Sequence, residues 1–336
     1  MDFDLNDDQR EIKSVARELL SARSTWARVR EAATAGEYDE TLWREICDLG
    51  WPGIAVSEEN GGQGLGIVEL AVLLEELGYA CAAVPFLSTA VAAAIIDRHS
   101  DGDLVEHLPG LLRGETRVGV GRSGLIVDGA DGPAALLIDR GRLLQVDSDR
   151  EPLVTIDPTR RFGRMPEGQP YAGGWNYTGE DAAALVTIAI SAEVVGVCQR
   201  ALEMTLAYVK ERKQFGVPVG SFQAVSHRCA EMLLHTESVR SAAYYAAWAA
   251  DAGVGASVSL GEAAALAGAA AATGGREVTA GAIQAHGGIG FTWEADVHWL
   301  YKRAEVDRAL LGGTSVHHAA LARAAAARVA SVSAAN

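Results

Sequence analysis

Two strings in the second half of the chain carry the residue types that hold an anionic, aromatic ligand. In Glu211-Arg212-Lys213-Gln214-Phe215-Gly216-Val217-Pro218-Val219-Gly220-Ser221-Phe222-Gln223, a helix ends on two cations, turns at Gly216 and Pro218, and restarts near Ser221. The Arg212 guanidinium matches the oxygens of a pyrophosphate, and the Phe215 ring can stack on a base. The same string also reads as a glycine-capped helix end whose cations complement the helix dipole. The second string is Ile283-Gln284-Ala285-His286-Gly287-Gly288-Ile289-Gly290-Phe291. Its glycines permit close backbone approach to a nucleotide and Gln284 adds hydrogen bonds, although any tight turn can use GGxG. A third group, Leu77-Gly78 with Val84-Pro85-Phe86 and the loop Glu58–Gly64, has no chemistry of its own.

Generic catalytic constellations are missing. The eight histidines include no HExxH pair, and His317-His318 reads as a solvated helix face. There is no GxSxG elbow and no GxxxxGK[ST] loop. Cys47, Cys81, Cys198 and Cys229 form no CxxC pair, so neither zinc nor a disulfide framework is expected, and a reducing cytoplasm is. The 336 residues carry a formal charge of −15 with 49% hydrophobic and 22% charged residues, which describes a globular chain of about two domains. That acidity argues against nucleic acid and anionic membranes, both of which need clustered Lys and Arg. No run of about 18 apolar residues is present, and the acidic Met1-Asp2-Phe3-Asp4 lacks a basic n-region, so neither a membrane span nor a signal peptide is expected.

The elements that must position these strings follow from periodicity. Residues 1–117 read as a helical domain. Ile12, Val15, Ala16, Leu19 and Leu20 form an amphipathic stripe behind an Asn6/Gln9 cap. Further helices are expected at about Glu40–Leu49, at Gly66–Leu77 with Gly78 as its terminating glycine, and at Pro85–Arg98. Residues 118–178 read as a small β-domain, with short apolar runs at Val118–Gly121, Gly124–Val127, Ala134–Ile138 and Leu143–Val146. Pro158–Tyr177 reads as loop. Residues 179–336 read as an antiparallel helical bundle, with long helices over Asp181–Lys213, Phe222–Asp251 and Ser257–His286, and Thr292 capping a fourth. The fold class is mainly α with a small β insert.

Taken in order along the chain, the strings resemble the landmarks of the acyl-CoA dehydrogenase family. They are Asp4-Leu5-Asn6-Asp7-Asp8-Gln9, Leu49-Gly50-Trp51, Glu58-Glu59-Asn60-Gly61-Gly62-Gln63-Gly64, Glu75-Glu76-Leu77-Gly78, Arg212-Lys213-Gln214-Phe215-Gly216 and Gln284-Ala285-His286-Gly287-Gly288-Ile289-Gly290. The last two are specific as a pair. The resemblance implies a helical N-domain, a middle β-domain and a C-terminal four-helix bundle. It implies FAD and an acyl-CoA thioester, with a glutamate removing the α-proton while the β-hydride passes to the flavin. It also implies an FAD shared between subunits. One chain's β-domain covers the isoalloxazine, and its neighbour's bundle holds the adenosine and pyrophosphate through residues matching Arg212, Phe215, Gln223, Gln284, Gly287 and Gly288. Thr314 joins this cofactor-binding set through the string around it.

The departures from the family pattern shape the functional expectation. Most members carry the catalytic glutamate in a Tyr-Glu-Gly-Thr-like string; here the run is Leu311-Gly312-Gly313-Thr314, with Gly312 in the glutamate's place. The alternative position, on the first long helix of the bundle, is Val186. Glu193 lies two turns further on and is the one remaining candidate for a displaced base, against its reading as a buried or interface carboxylate. The β-domain, about 60 residues from Val118 to Thr178, is roughly half of what the family uses. The combination resembles the smaller, non-catalytic subunit of heteromeric α2β2 acyl-CoA dehydrogenases from actinobacterial steroid side-chain degradation. It implies a catalytic partner subunit, a heterotetramer and an FAD at the subunit interface. A steroid-CoA substrate follows by analogy alone. The alternatives are a self-sufficient dehydrogenase using Glu193 and a flavin-free acyl-CoA-binding scaffold.

Overall fold

The computed structural model describes residues 4–99, 105–122, 124–129, 134–139, 142–146, 150–164, 174–252 and 258–335. Six helices come first: α1 (Asp7–Arg23), α2 (Trp26–Ala35), α3 (Glu40–Asp48), α4 (Ile67–Tyr79), α5 (Phe86–His99) and α6 (Leu108–Leu112). The capping box forms at α1 as expected, with the Asn6 side chain accepting from Gln9 N at 2.8 Å and Gln9 returning the bond. Ala16 and Leu20 are buried, but Val15 is 48% exposed and leaves the stripe. Helix α2 was not anticipated; Thr25 caps its start and Gly36, at φ 68°, ends it.

Gly78 does not terminate α4. It lies within the helix, where a Cβ would overlap the backbone carbonyl of Glu193. Gly196 makes the reciprocal approach, since a Cβ there would overlap the Glu75 carbonyl. The two glycines let α4 and α7 (Gly179–Glu211) cross backbone to backbone. Above this crossing, buried Glu75 and Glu76 bind the rest of the domain. Glu75 accepts from Arg240 and, at 2.6 Å, from Tyr244, and pairs with Lys13 at 2.8 Å. Glu76 is held by Arg17. The Glu-Glu-Leu-Gly string is therefore a structural clamp between α1, α4 and the bundle.

The middle region forms one seven-stranded sheet in the order β5-β6-β2-β1-β3-β4-β7. Its strands are β1 (Val118–Arg122), β2 (Leu125–Val127), β3 (Ala134–Asp139), β4 (Arg142–Val146), β5 (Glu151–Leu153), β6 (Phe162–Arg164) and β7 (Gly174–Thr178). Only β1 and β3 pair in parallel, with Val118 opposite Ala134. The expected loop Pro158–Tyr177 instead contains β6 and most of β7. Three-residue β6 is defined by its partners, Leu125↔Arg164 on one side and Glu151↔Arg164 on the other, which no local pattern reveals. Residues 165–173 of that loop lie outside the described residues.

Then follow α7, the short strands β8 (Lys213–Gln214) and β9 (Val217–Pro218), α8 (Gln223–Ala252), α9 (Leu260–His286), α10 (Val297–Leu310) and α11 (Thr314–Ala335). Helix α9 is the hub, touching α7, α8, α10 and α11, and its alanines allow the close packing. Thr292 does not cap α10. Its hydroxyl bonds the Ile289 carbonyl at 2.8 Å, and the helix starts at Val297. His317 is not a solvated residue either: it is 4% exposed, packs over Gly268 and lies 3.0 Å from the Leu311 carbonyl through Nε2. Helix α7 is apolar enough to cross a membrane, with mean hydropathy 1.8, but 89% of that window is buried inside the protein, as befits a core helix.

Candidate functional site

Helices α7 and α9 end at the same edge of the bundle, where α8 begins. Tyr208 near the end of α7 stacks on His286 at the end of α9, ring centroids 4.5 Å apart. Met232 of α8 packs against Gly281 of α9. The connection from α7 to α8 is a tight hairpin. Lys213 pairs with Pro218 and Gln214 with Val217, leaving Phe215 and Gly216 as the two turn residues. Both have positive φ, 53° and 83°. This is the pattern of a two-residue primed turn, which usually takes Asn-Gly. A phenylalanine in the left-handed region is strained by about 1–2 kcal/mol. The strain leaves its ring 94% exposed, touching Phe222 edge-on at 6.3 Å.

Six of the residues expected to hold the cofactor meet at this edge. Arg212 hangs from the hairpin base, which is closed by Val219 N donating to the Arg212 carbonyl at 2.7 Å. Its side chain is exposed and engages no carboxylate among the described residues. Gln223 opens α8, and Gln284 lies on the exposed side of α9. Gly287 takes φ 65° and ψ −144°, a conformation close to glycine-only, and starts a tight turn through Phe291. A Cβ at Gly287 or Gly288 would meet nothing within 4 Å, so bare backbone faces outward. Beneath it, burial lowers the His286 pKa, opposed by the bond from its Nδ1 to the Ala282 carbonyl at 2.8 Å. Thr314 does not join the group. It faces Thr273 at 3.3 Å, eleven residues before Gln284 and thus about 16 Å back along α9.

The two positions that the resemblance assigns to a base hold Gly312 and Val186, neither of which can take a proton. Gly312 sits at φ 79° in the turn between α10 and α11, and Val186 is 8% exposed in the core of α7. Glu193 is committed elsewhere. It is 2% exposed, and its Oε1 accepts from Arg160 and, at 2.9 Å, from Arg303 Nη1. Arg303 also donates to Asp157 at 2.7 Å and to Thr159 at 2.6 Å. Burial would raise Asp157, but Arg303 and the Thr159 bonds outweigh it and hold its pKa below the ordinary value. Asp307 is fully buried with neither oxygen hydrogen-bonded among the described residues. Burial and then the Glu193 charge push its pKa well above the ordinary aspartate value, which favours its neutral form. These residues join the loop before β6 to α7 and α10. A base needs a free lone pair directed at substrate; Glu193 Oε1 is shared by two guanidiniums, and Oε2, without a hydrogen bond among the described residues, is buried with the rest of a side chain 2% exposed.

Beside Gln284 opens a cleft of about 520 Å³, walled by Ile156, Phe291, Trp293, His298 and Lys302. Nothing in the sequence singled out the last three, which lie outside the two strings. Their one local signal is that His298 and Lys302 stand four residues apart on α10 and so share a helix face.

Residues 6–115 match the profile "Acyl-CoA dehydrogenase, N-terminal domain" and residues 172–326 match "Acyl-CoA dehydrogenase, C-terminal domain". The acyl-CoA dehydrogenase IpdE2 of Mycolicibacterium smegmatis is 32% identical over 278 residues, 82% of this chain and 85% of that protein. The acyl-CoA dehydrogenase FadE34 of Mycobacterium tuberculosis is 34% identical, matching 90% of this chain but 46% of its own length. Among solved structures, a chain of the Tcur3481-Tcur3483 steroid ACAD superposes with TM-score 0.87 at 28% identity, covering 96% of this chain and 99% of that one. A chain of the ChsE4-ChsE5 complex from Mycobacterium tuberculosis has the same fold, with TM-score 0.85 over 97% of this chain and 99% of that one at 24% identity. The chain belongs to the acyl-CoA dehydrogenase family.

Proposed function

We propose that this chain is the non-catalytic subunit of a heteromeric, FAD-dependent acyl-CoA dehydrogenase, an α2β2 heterotetramer whose catalytic partner supplies the glutamate base. The observation that carries it is a split. Both base positions are empty of carboxylate and Glu193 is locked between Arg160 and Arg303, while the adenosine-side residues stay grouped and open at one edge. The residues at that edge fit the adenosine half of FAD. Bare backbone at Gly287-Gly288 admits a phosphate, Arg212 offers an unpaired fork, and Phe215 holds a ring clear of the surface. FAD, when bound, is the hydride acceptor; this chain's residues would hold its far end for the partner. The division into 1–117, 118–178 and 179–336 belongs to this reading.

Two of the similar structures, Tcur3481-Tcur3483 and the ChsE4-ChsE5 complex, each join two gene products, and FadE34 is over twice as long as the region this chain matches, which favours a paired architecture. A steroid-CoA thioester is the proposed substrate class, on the name of the Tcur3481-Tcur3483 steroid ACAD. The test is a visible spectrum of the chain purified alone and after co-expression with a neighbouring acyl-CoA dehydrogenase gene. Flavin only in the co-expressed complex, bleached by the acyl-CoA substrate, is the expected result. Flavin and bleaching by the isolated chain would establish the self-sufficient reading. No flavin in either sample would establish the flavin-free scaffold.

A further inference from the structure

The cleft beside Gln284 has an unusual inventory. At about 520 Å³ it falls in the range of small-molecule sites, and most of its wall is aromatic or aliphatic. The polar groups in and around it are mostly donors without acceptors. Lys302 Nζ lies 4.2 Å from the Trp293 ring centre and 4.5 Å from that of Trp299, and makes no ion pair among the described residues. Among the described residues neither ring nitrogen of His298, a wall residue 8% exposed, has a side-chain hydrogen-bond partner, and the buried Trp299 Nε1 has none. The His298 and Trp299 rings are 4.4 Å apart, so these donors share one small region.

No acidic residue lines the cleft among the described residues. The nearby Asp296 is already taken by the Arg30 fork, at 2.7 and 3.0 Å. Burial, then Lys302, lowers His298 to about 4, so it is neutral and can donate from one nitrogen. A buried polar group without a partner is costly, and an acceptor on a ligand would offset that cost. Trp293 is 71% exposed and Phe291 78%, flat surfaces held at the mouth.

We propose that this cleft is a binding site for a small apolar carboxylate: a flat hydrocarbon body between Phe291 and Trp293, with its carboxylate at Lys302 and His298. The proposal does not depend on the flavin reading, although Gln284 stands on the boundary between the two sites. An ammonium held against two indoles, with Asp157 acting on it from a distance and no ion pair among the described residues, is pre-placed for an anion, and the aromatic walls select an apolar body over inorganic phosphate.

The test titrates 2-naphthoate into the full chain and follows quenching of tryptophan fluorescence, with neutral 2-naphthamide as comparison. Naphthoate should bind about 10-fold or more tightly than the amide, the effect of one charge-assisted hydrogen bond. Lys302→Met, which keeps the stem on the indoles, should erase that preference while the amide binds as before. Trp293→Ala, at an exposed position, should weaken both ligands with the far-ultraviolet circular dichroism unchanged. Equal affinity for acid and amide, or an unaltered preference in Lys302→Met, would overturn the proposal. Displacement of naphthoate by saturating AMP would also overturn it, making the cleft part of the nucleotide site. Displacement on assembly with the partner chain would overturn it in favour of a protein contact.

Discussion

Glu193 shows how one residue's chemistry depends on contacts that its neighbours in sequence do not reveal. On a helix face it was the last candidate base; in the fold it is the acceptor for two guanidiniums, from positions 160 and 303. Removing one member of a buried charge pair typically costs about 3–5 kcal/mol. Glu193→Gln is therefore expected to lower stability by about 3 kcal/mol or more, read from urea unfolding of the chain. Turnover per folded complex should stay within a fewfold of the parent, whereas loss of a true base costs on the order of 10²–10⁴. Asp307 gives a pH-dependent prediction. Its folded pKa is raised, so its contribution to stability is complete below the ordinary aspartate value of about 3.9 and is lost as pH rises toward the folded value. Asp307→Asn keeps the neutral form at every pH. Its stability relative to the parent should grow above about pH 4, by up to about 1.4 kcal/mol per pH unit. Urea midpoints at pH 4 and pH 7 check this, and a difference independent of pH would contradict it. At this scale the residues proposed for the adenosine side could be picked out of the sequence because their types and spacing are local. It concealed the ion cluster because Asp157 and Arg303 meet only after folding.

Elements that repeat a pattern over several turns, such as α1 and the long bundle helices, were legible within a few residues. Those defined by partners were not. Strand β6 is three residues held between two neighbours, and α2 has only Val29 and Ala32 fully buried, too little for a periodic signal. Gly78 was misread because a glycine late in a helix ordinarily marks its end, whereas this one serves the crossing of α4 and α7. Gly196→Ala tests that crossing. Its Cβ would overlap the Glu75 carbonyl, and backbone cannot swing aside. The expected loss is at or above the top of the usual overpacking range of about 1–3 kcal/mol. Gly261→Ala on α9, where a Cβ meets nothing within 4 Å, should change stability by less than about 1 kcal/mol. Thermal melts of the two variants side by side provide the comparison, and equal melting temperatures would remove the packing argument.

At the scale of the whole molecule, the proposed function makes this a chain that keeps one half of a shared site and lacks the other half's chemistry. The exposed Phe215, the bare Gly287-Gly288 backbone and Arg212, which engages no carboxylate among the described residues, fit the proposed role of holding a ligand from one side. Light scattering of the co-expressed pair should give the mass of a tetramer with two copies of each chain. A monomer with and without the partner would contradict the assembly.

The central claim is that this chain binds the adenosine half of its partner's FAD, and the most direct measurement is FAD affinity of the apo-complex with and without Arg212. A charge-assisted hydrogen bond contributes about 1.5–3 kcal/mol, so Arg212→Ala should raise the FAD dissociation constant roughly 10- to 150-fold while the tetramer stays intact. Equal dissociation constants for the parent and Arg212→Ala complexes would mean that Arg212 only ends a helix, and would contradict the shared site.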